Sequence, residues 1–184
     1  MTSIPAPAPR SVFITVMAWI SLAIGIMGAV GGLMQVVMLL AFSPADMLQS
    51  LFDQFSLPLN LSPSLEWTLT HLELLNFLST LLSAAFAWVS YGLLKRFEWG
   101  RLGFIVFLAM SVVLIFGSVE MFLQMLDWLA KLFNDLELAE RERQIRNLLY
   151  AAAGVLAAMH GWIIYKLCTH PIRAEFEHDG HRRH

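Results

Sequence analysis

At 184 residues, the chain is 58% hydrophobic and 14% charged, with a formal net charge of -2 and a mean hydropathy of +0.64. Those values fit one membrane-embedded domain and exclude the basic footprint of a nucleic-acid binder. Cys168 is the single cysteine, which excludes an internal disulfide, a thiolate zinc site and a Cys-x-x-Cys redox centre.

Residues 1–10 form a Pro/Ala leader, an extended tail expected on the cytoplasmic side. The apolar run from Ser11 to Phe42 follows Arg10, as a secretory signal would follow its charge. It is far longer than the ~7–15 residues of a signal h-region, so it reads as an uncleaved anchor. Ser43-Pro44 then sets a capping residue before a proline, and Met47, Leu48, Leu51, Phe52 and Phe55 recur at helical spacing. This pattern predicts a short amphipathic helix on the outer side, lying on the leaflet or covering the top of the bundle. Ser62-Pro63 opens the second long helix.

Between the second and third long helices, Gly92 to Phe104 gathers Lys95, Arg96 and Arg101. A basic connection between apolar runs reads as a tight cytoplasmic turn, with Phe97 and Trp99 at the interface and Gly100 permitting the reversal. The first outer connection agrees, since it carries Asp46, Asp53 and Glu66 and no lysine or arginine. The third connection carries Lys131, Arg141, Arg143 and Arg146, the one count against this orientation, but its acids are as numerous. Asn134 and Glu137 have capping-box spacing, and Glu137/Arg141 and Glu142/Arg146 are i,i+4 pairs. The fourth helix is therefore expected to start near Asp135 as a solvated extension, its apolar part beginning at Leu148. Residues 169–184, with His170, His178, His181 and His184, form a His-rich tail expected to be disordered in the cytoplasm, with metal binding as the alternative.

The resulting fold class is an all-α membrane protein. Four long transmembrane helices, at about 12–42, 65–97, 102–133 and 135–168, form an antiparallel bundle over 11–168, with the short outer helix between helices 1 and 2. A helix of about 32 residues runs roughly 48 Å against a hydrocarbon core of roughly 30 Å, so the surplus should project outward from the basic turn. The expected location is a bacterial inner membrane with both termini cytoplasmic. Trp88-x-x-Tyr91-x-Leu93 and Trp162-x-x-Tyr165-x-Leu167 suggest a parallel internal repeat. Aromatic residues gathering at the membrane interface produce the same likeness.

Small residues recur at Gly25, Gly28 and Gly32 on helix 1 and at Gly154, Ala158 and Gly161 on helix 4. Such faces let backbones approach, and the two are expected to meet each other, with contacts to another chain as the alternative. Ser79, Ser83, Ala87 and Ser90 make a weaker version on helix 2. Intramembrane polar residues are the functional suspects. Glu120, Asn76, Gln35 and Gln124 fall at similar heights in the outer part, with His71 and Glu73 a turn or two above. They read either as groups bonded to interfacial water and to one another, or as an ion, proton or headgroup site centred on Glu120. Metal binding needs several ligands converging at about 2 Å, which spacing does not show, so no metal and no cofactor is assigned. His160 stands alone and reads as a packed, hydrogen-bonded histidine.

No Gly-x-Ser-x-Gly, His-Glu-x-x-His or glycine-rich phosphate loop occurs. The expectation is a non-enzymatic polytopic membrane protein, an accessory or assembly subunit whose partners are the bilayer and another membrane protein or further copies of itself. A small oligomeric transporter or channel component using the Glu120 layer is the alternative, and an enzyme acting on lipid ranks third.

Overall fold

The computed structural model describes residues 11–42, 50, 62–133 and 136–180. Its elements are α1 (Val12–Phe42), α2 (Pro63–Thr70), α3 (Leu72–Leu94), α4 (Glu98–Phe133), α5 (Leu136–Cys168) and α6 (His170–Gly180). The chain is almost entirely helical. Four stretches, Val12–Ala41, Leu72–Leu94, Glu98–Lys131 and Arg141–Cys168, are long and apolar enough to cross a membrane. The amphipathic helix predicted after Ser43 lies outside the described residues, as do the 1–10 leader, the Asn134 cap and His181 and His184 of the tail.

The second long helix, expected over 65–97, is divided at His71 into α2 and α3. Three nearby side chains draw on backbone carbonyls there. Thr68 Oγ1 donates to Ser64 O, Thr70 Oγ1 to Glu66 O and His71 Nδ1 to Trp67 O, each at 2.8 Å. Competition of this kind weakens the helical ladder and bends it. The third helix starts earlier than its expected position at 102, because Glu98 and Arg101 pair with each other inside the first turn. The connection shrinks to Lys95–Phe97.

Helix 1 does not meet helix 4 through its glycines, contrary to expectation. A Cβ on Gly25 would lie 2.8 Å from Ala87 N, one on Gly28 2.9 Å from Ser83 Oγ, and one on Gly32 would meet Thr80. The stripe therefore packs against α3, pairing 25 with 87, 28 with 83 and 32 with 80. Thr80, Ser83 and Ala87 present a face nearly as flat as the glycines, and they belong to the next long helix in the chain. On α5, nothing among the described residues lies within 4 Å of a Cβ built on Gly154 or Gly161. That helix instead packs on α4 through Val119, Leu123 and Ala153, with Ile115 and Leu149 alongside. The first pair of long helices is joined by glycines and the second is not, which weakens the repeat. What remains of it is that Trp88, Tyr91, Trp162 and Tyr165 are all exposed.

The main core sits at one end, where Ile14, Ala18, Leu93, Phe104, Leu167, Ile172 and Phe176 are buried together. Elsewhere large apolar side chains such as Met27, Val37, Leu40, Val113 and Val155 point outward. Acyl chains solvate such side chains as well as a protein interior does, so their exposure is the ordinary condition of a spanning helix. The tail does not follow the expected disorder over 170–180 but forms α6. Pro171 fits the first turn, and Ile172 and Phe176, four residues apart, turn one apolar face into the core.

Candidate functional site

The buried end is built from the capping requirements of three helices. Helix α3 finishes with Phe97 N–H donating to Gly92 O at 2.9 Å and Arg96 N–H donating to Leu93 O at 3.1 Å. This closing pattern places the residue after the cap in the left-handed region, a position glycine usually takes. Here it is Arg96, with φ 60°. Its guanidinium crosses to α1 and α6: Nη2 donates to Ser11 O and to Thr15 Oγ1, each at 3.0 Å, and Nε lies 3.4 Å from Glu175 Oε2. The Arg96 side chain is 3% exposed and that of Glu175 12%.

Glu175 also accepts the Ser11 N–H at 3.2 and 3.3 Å. Helix α1 has no acid in its own first turn. The α6 carboxylate therefore supplies, from far along the chain, what a capping-box glutamate supplies locally, and it places negative charge at the positive helix end. Arg101 serves α5 in the mirror sense. Its Nε donates to Glu98 Oε2 at 3.1 Å, Nη2 bonds the other Glu98 oxygen, and Nη1 donates to Leu167 O at 3.2 Å near the end of α5. A cation there satisfies a terminal carbonyl and opposes the dipole.

Two of the three residues read as markers of topology are thus interior structural groups. Arg96 and Arg101 are buried. Lys95 is exposed and lies over the Tyr91 ring, 5.6 Å from its centroid. The role expected of Gly100 also changes. No glycine among the described residues has a positive φ, and Gly100 contributes close approach: a Cβ there would lie 2.3 Å from Gly92 C.

The outer polar residues do not converge. Glu120 accepts a hydrogen bond from Tyr150 OH at 2.7 Å, linking α4 to α5. Gln124 Oε1 accepts from Ser62 Oγ at 3.1 Å and from Ser64 Oγ, tying α4 to the start of α2. Asn76 belongs to neither group, and its Oδ1 is buried without a hydrogen-bond partner among the described residues. His71 stacks on Trp67 with centroids 4.7 Å apart. Gln35 and Glu73 are exposed. Among the described residues, no three His, Cys, Asp or Glu side chains gather closely enough to hold a metal.

Glu120 thus acts as a hydrogen-bond acceptor between two helices. Tyr150→Phe should lower the unfolding midpoint in detergent only slightly. Glu120→Gln should leave it unchanged, because the amide oxygen still accepts the phenol. Parallel thermal melts of the two variants check this.

Sequence reasoning missed Tyr150, Ser62, Ser64 and Glu175. Tyr150 was legible, since counting inward from Cys168 puts it at nearly the height of Glu120. Glu175 was signalled only by the Ile172/Phe176 spacing, which makes the charged tail amphipathic. Comparison with protein-family models, curated proteins and solved structures finds no match for this chain.

Proposed function

We propose that this protein is a non-enzymatic accessory or assembly subunit of a membrane complex. In this reading the four long helices cross a bacterial inner membrane as an antiparallel bundle, with the Lys95–Phe97 turn and both termini in the cytoplasm. The supporting observation is the state of the two small-residue faces. Gly25, Gly28 and Gly32 are filled by α3, whereas among the described residues Gly154 and Gly161 meet nothing within 4 Å. Leu148, Val155, Trp162 and Tyr165 stand exposed on the same helix. A groove of small residues between large ridges is a surface on which a second transmembrane helix packs closely.

Purification in mild detergent followed by native mass measurement tests the reading. The expected result is a stable complex with a different membrane protein, lost in Gly154→Leu without a change in unfolding midpoint. A monomer, or a complex of identical chains only, would overturn it. Reporters fused near Glu98 and near Asp135 test the orientation, with Glu98 expected inside and Asp135 outside.

The second reading, a small oligomeric transporter or channel component, draws support from the exposed Glu120 carboxylate and its bond to Tyr150. Ion flux through a homo-oligomer that disappears in Glu120→Gln would establish it in place of the first.

A further inference from the structure

Between α1, α3, α4 and α5 lies a cavity of about 280 Å³, lined in part by Gly28, Ser83, Phe86, Phe107, Ser111 and His160. Its origin is geometric. Near the buried end α1 and α5 touch, with the Phe13 and Trp162 rings edge to face at 5.6 Å, but there is otherwise little contact between these two helices. The missing meeting of the two small-residue faces leaves a space whose floor is α3 and α4. At 1.5 Å per residue, His160 lies about 12 Å from the α5 end at Cys168 and Ser111 about 20 Å from the α4 start at Glu98, both in the middle third of a hydrocarbon core of roughly 30 Å.

The lining specifies what fits. His160 Nδ1 lies 2.7 Å from Leu156 O. A carbonyl only accepts, so Nδ1 is the donor to Leu156 O, and Nε2 is the ring atom left to accept a hydrogen bond. No other hydrogen bond engages the His160 ring among the described residues. Ser111 Oγ donates to Leu108 O at 2.8 Å and keeps its lone pairs. Phe86 and Phe107, with centroids 5.4 Å apart, form an aromatic wall on the other side. A lipid headgroup does not reach this depth, and a bare acyl chain leaves the histidine acceptor unmet in a medium without water. Engineered cavities of about 150 Å³ hold benzene, so one substituted ring is of the right size.

We propose that this cavity binds a lipid-soluble hydroxylated ring, of the phenol or quinol class. Its hydroxyl donates to His160 Nε2, its ring lies against Phe86 and Phe107, and its apolar tail leaves between α1 and α5 into the bilayer. The partner-protein reading above is not needed for this, because α5 presents its Gly154 face to a neighbour independently of what fills the space beside His160.

The test is calorimetric titration of the full chain in detergent with para-nonylphenol and with its methyl ether. The ether has the same ring and tail but no proton to donate. The phenol should bind saturably at one site per chain, and the ether about tenfold more weakly, the loss expected for one hydrogen bond in an apolar site. His160→Phe should weaken the phenol about tenfold and leave the ether unchanged. Ser111→Leu, which narrows the cavity, should weaken both.

Equal binding of phenol and ether by the unaltered chain would overturn the proposal in favour of an acyl-chain groove. Non-saturable uptake, or no uptake of the phenol, would overturn it outright. Both results need no variant, so a His160 variant that fails to fold does not blunt the test.

Discussion

Gly100→Ala is expected to be among the most destabilising single methyl additions in the chain, costing about 3 kcal/mol or more of unfolding free energy. The reason is what the methyl meets. A Cβ at Gly100 would lie 2.3 Å from Gly92 C, 2.5 Å from Leu93 N and 2.8 Å from Gly92 O, all backbone. Those atoms belong to the last turn of α3, whose carbonyls are engaged in the closing hydrogen bonds to Arg96 and Phe97. Relief requires the two helices to separate, which opens the contact between Leu93 and Phe104 in the main core.

Other glycines set the scale. At Gly92 the methyl would strike the Trp99 ring at 2.5 Å, but that ring is a side chain, 43% exposed, and can swing aside. At Gly25 it would press on Ala87 N, Cα and Cβ at 2.8–2.9 Å, again mostly backbone. At Gly117 nothing among the described residues lies within 4 Å, and replacing a helical glycine by alanine there should be neutral or stabilising by up to about 1 kcal/mol. The expected order of unfolding midpoints is Gly117→Ala highest, then Gly92→Ala, Gly25→Ala and Gly100→Ala. Chemical unfolding in mixed detergent micelles measures it. A Gly100→Ala protein as stable as Gly117→Ala would mean that α3 and α4 do not approach at this point.

The four helices long and apolar enough to cross a membrane were legible because each apolar run is longer than any soluble core helix needs, and no partner information is required to see that. The small-residue stripe on helix 1 was legible as a packing face, but its partner was not. Spacing says that a face is flat without saying which flat face lies opposite, and Thr80, Ser83 and Ala87 looked the weaker candidate. Charge misled in two places. Glu98 and Arg101 were read as loop residues because they are ionic, yet opposite charges three residues apart fit the first turn of a helix. In the tail, the number of ionic residues hid the four-residue spacing of Ile172 and Phe176. The polar candidates around Glu120 were grouped by height alone. Height does not give azimuth, and the structure turns Glu120 toward α5 and Gln124 toward α2 and leaves Gln35 exposed.

Arg96→Ala should cost about 3–5 kcal/mol, the usual penalty for removing one member of a buried ion pair. Glu175 would be left in a site where its side chain is 12% exposed, bonded among the described residues only to the Ser11 N–H. Ser11 O and Thr15 Oγ1 would lose their donor as well. Arg96→Gly separates the backbone from the side chain. With φ at 60°, the left-handed conformation disfavours a side-chain-bearing residue by roughly 1–2 kcal/mol, so the glycine variant should recover about that much relative to alanine. Both variants still lose the clasp.

Glu175→Gln should be milder than either, because an amide oxygen continues to accept from Ser11 and from the guanidinium. If Arg96 and Glu175 act as one unit, the double variant Arg96→Ala/Glu175→Ala will be less damaged than the sum of its parts, by about 0.5–3 kcal/mol. Hydrogen exchange locates the damage. Loss of the clasp should release α6 first, so amides over 170–176 should exchange faster in Arg96→Ala while those around Gly28 and Ser83 keep their protection. Uniform loss of protection would show that the clasp holds the whole bundle. Unchanged protection over 170–176 would show that α6 is held by Ile172 and Phe176 alone.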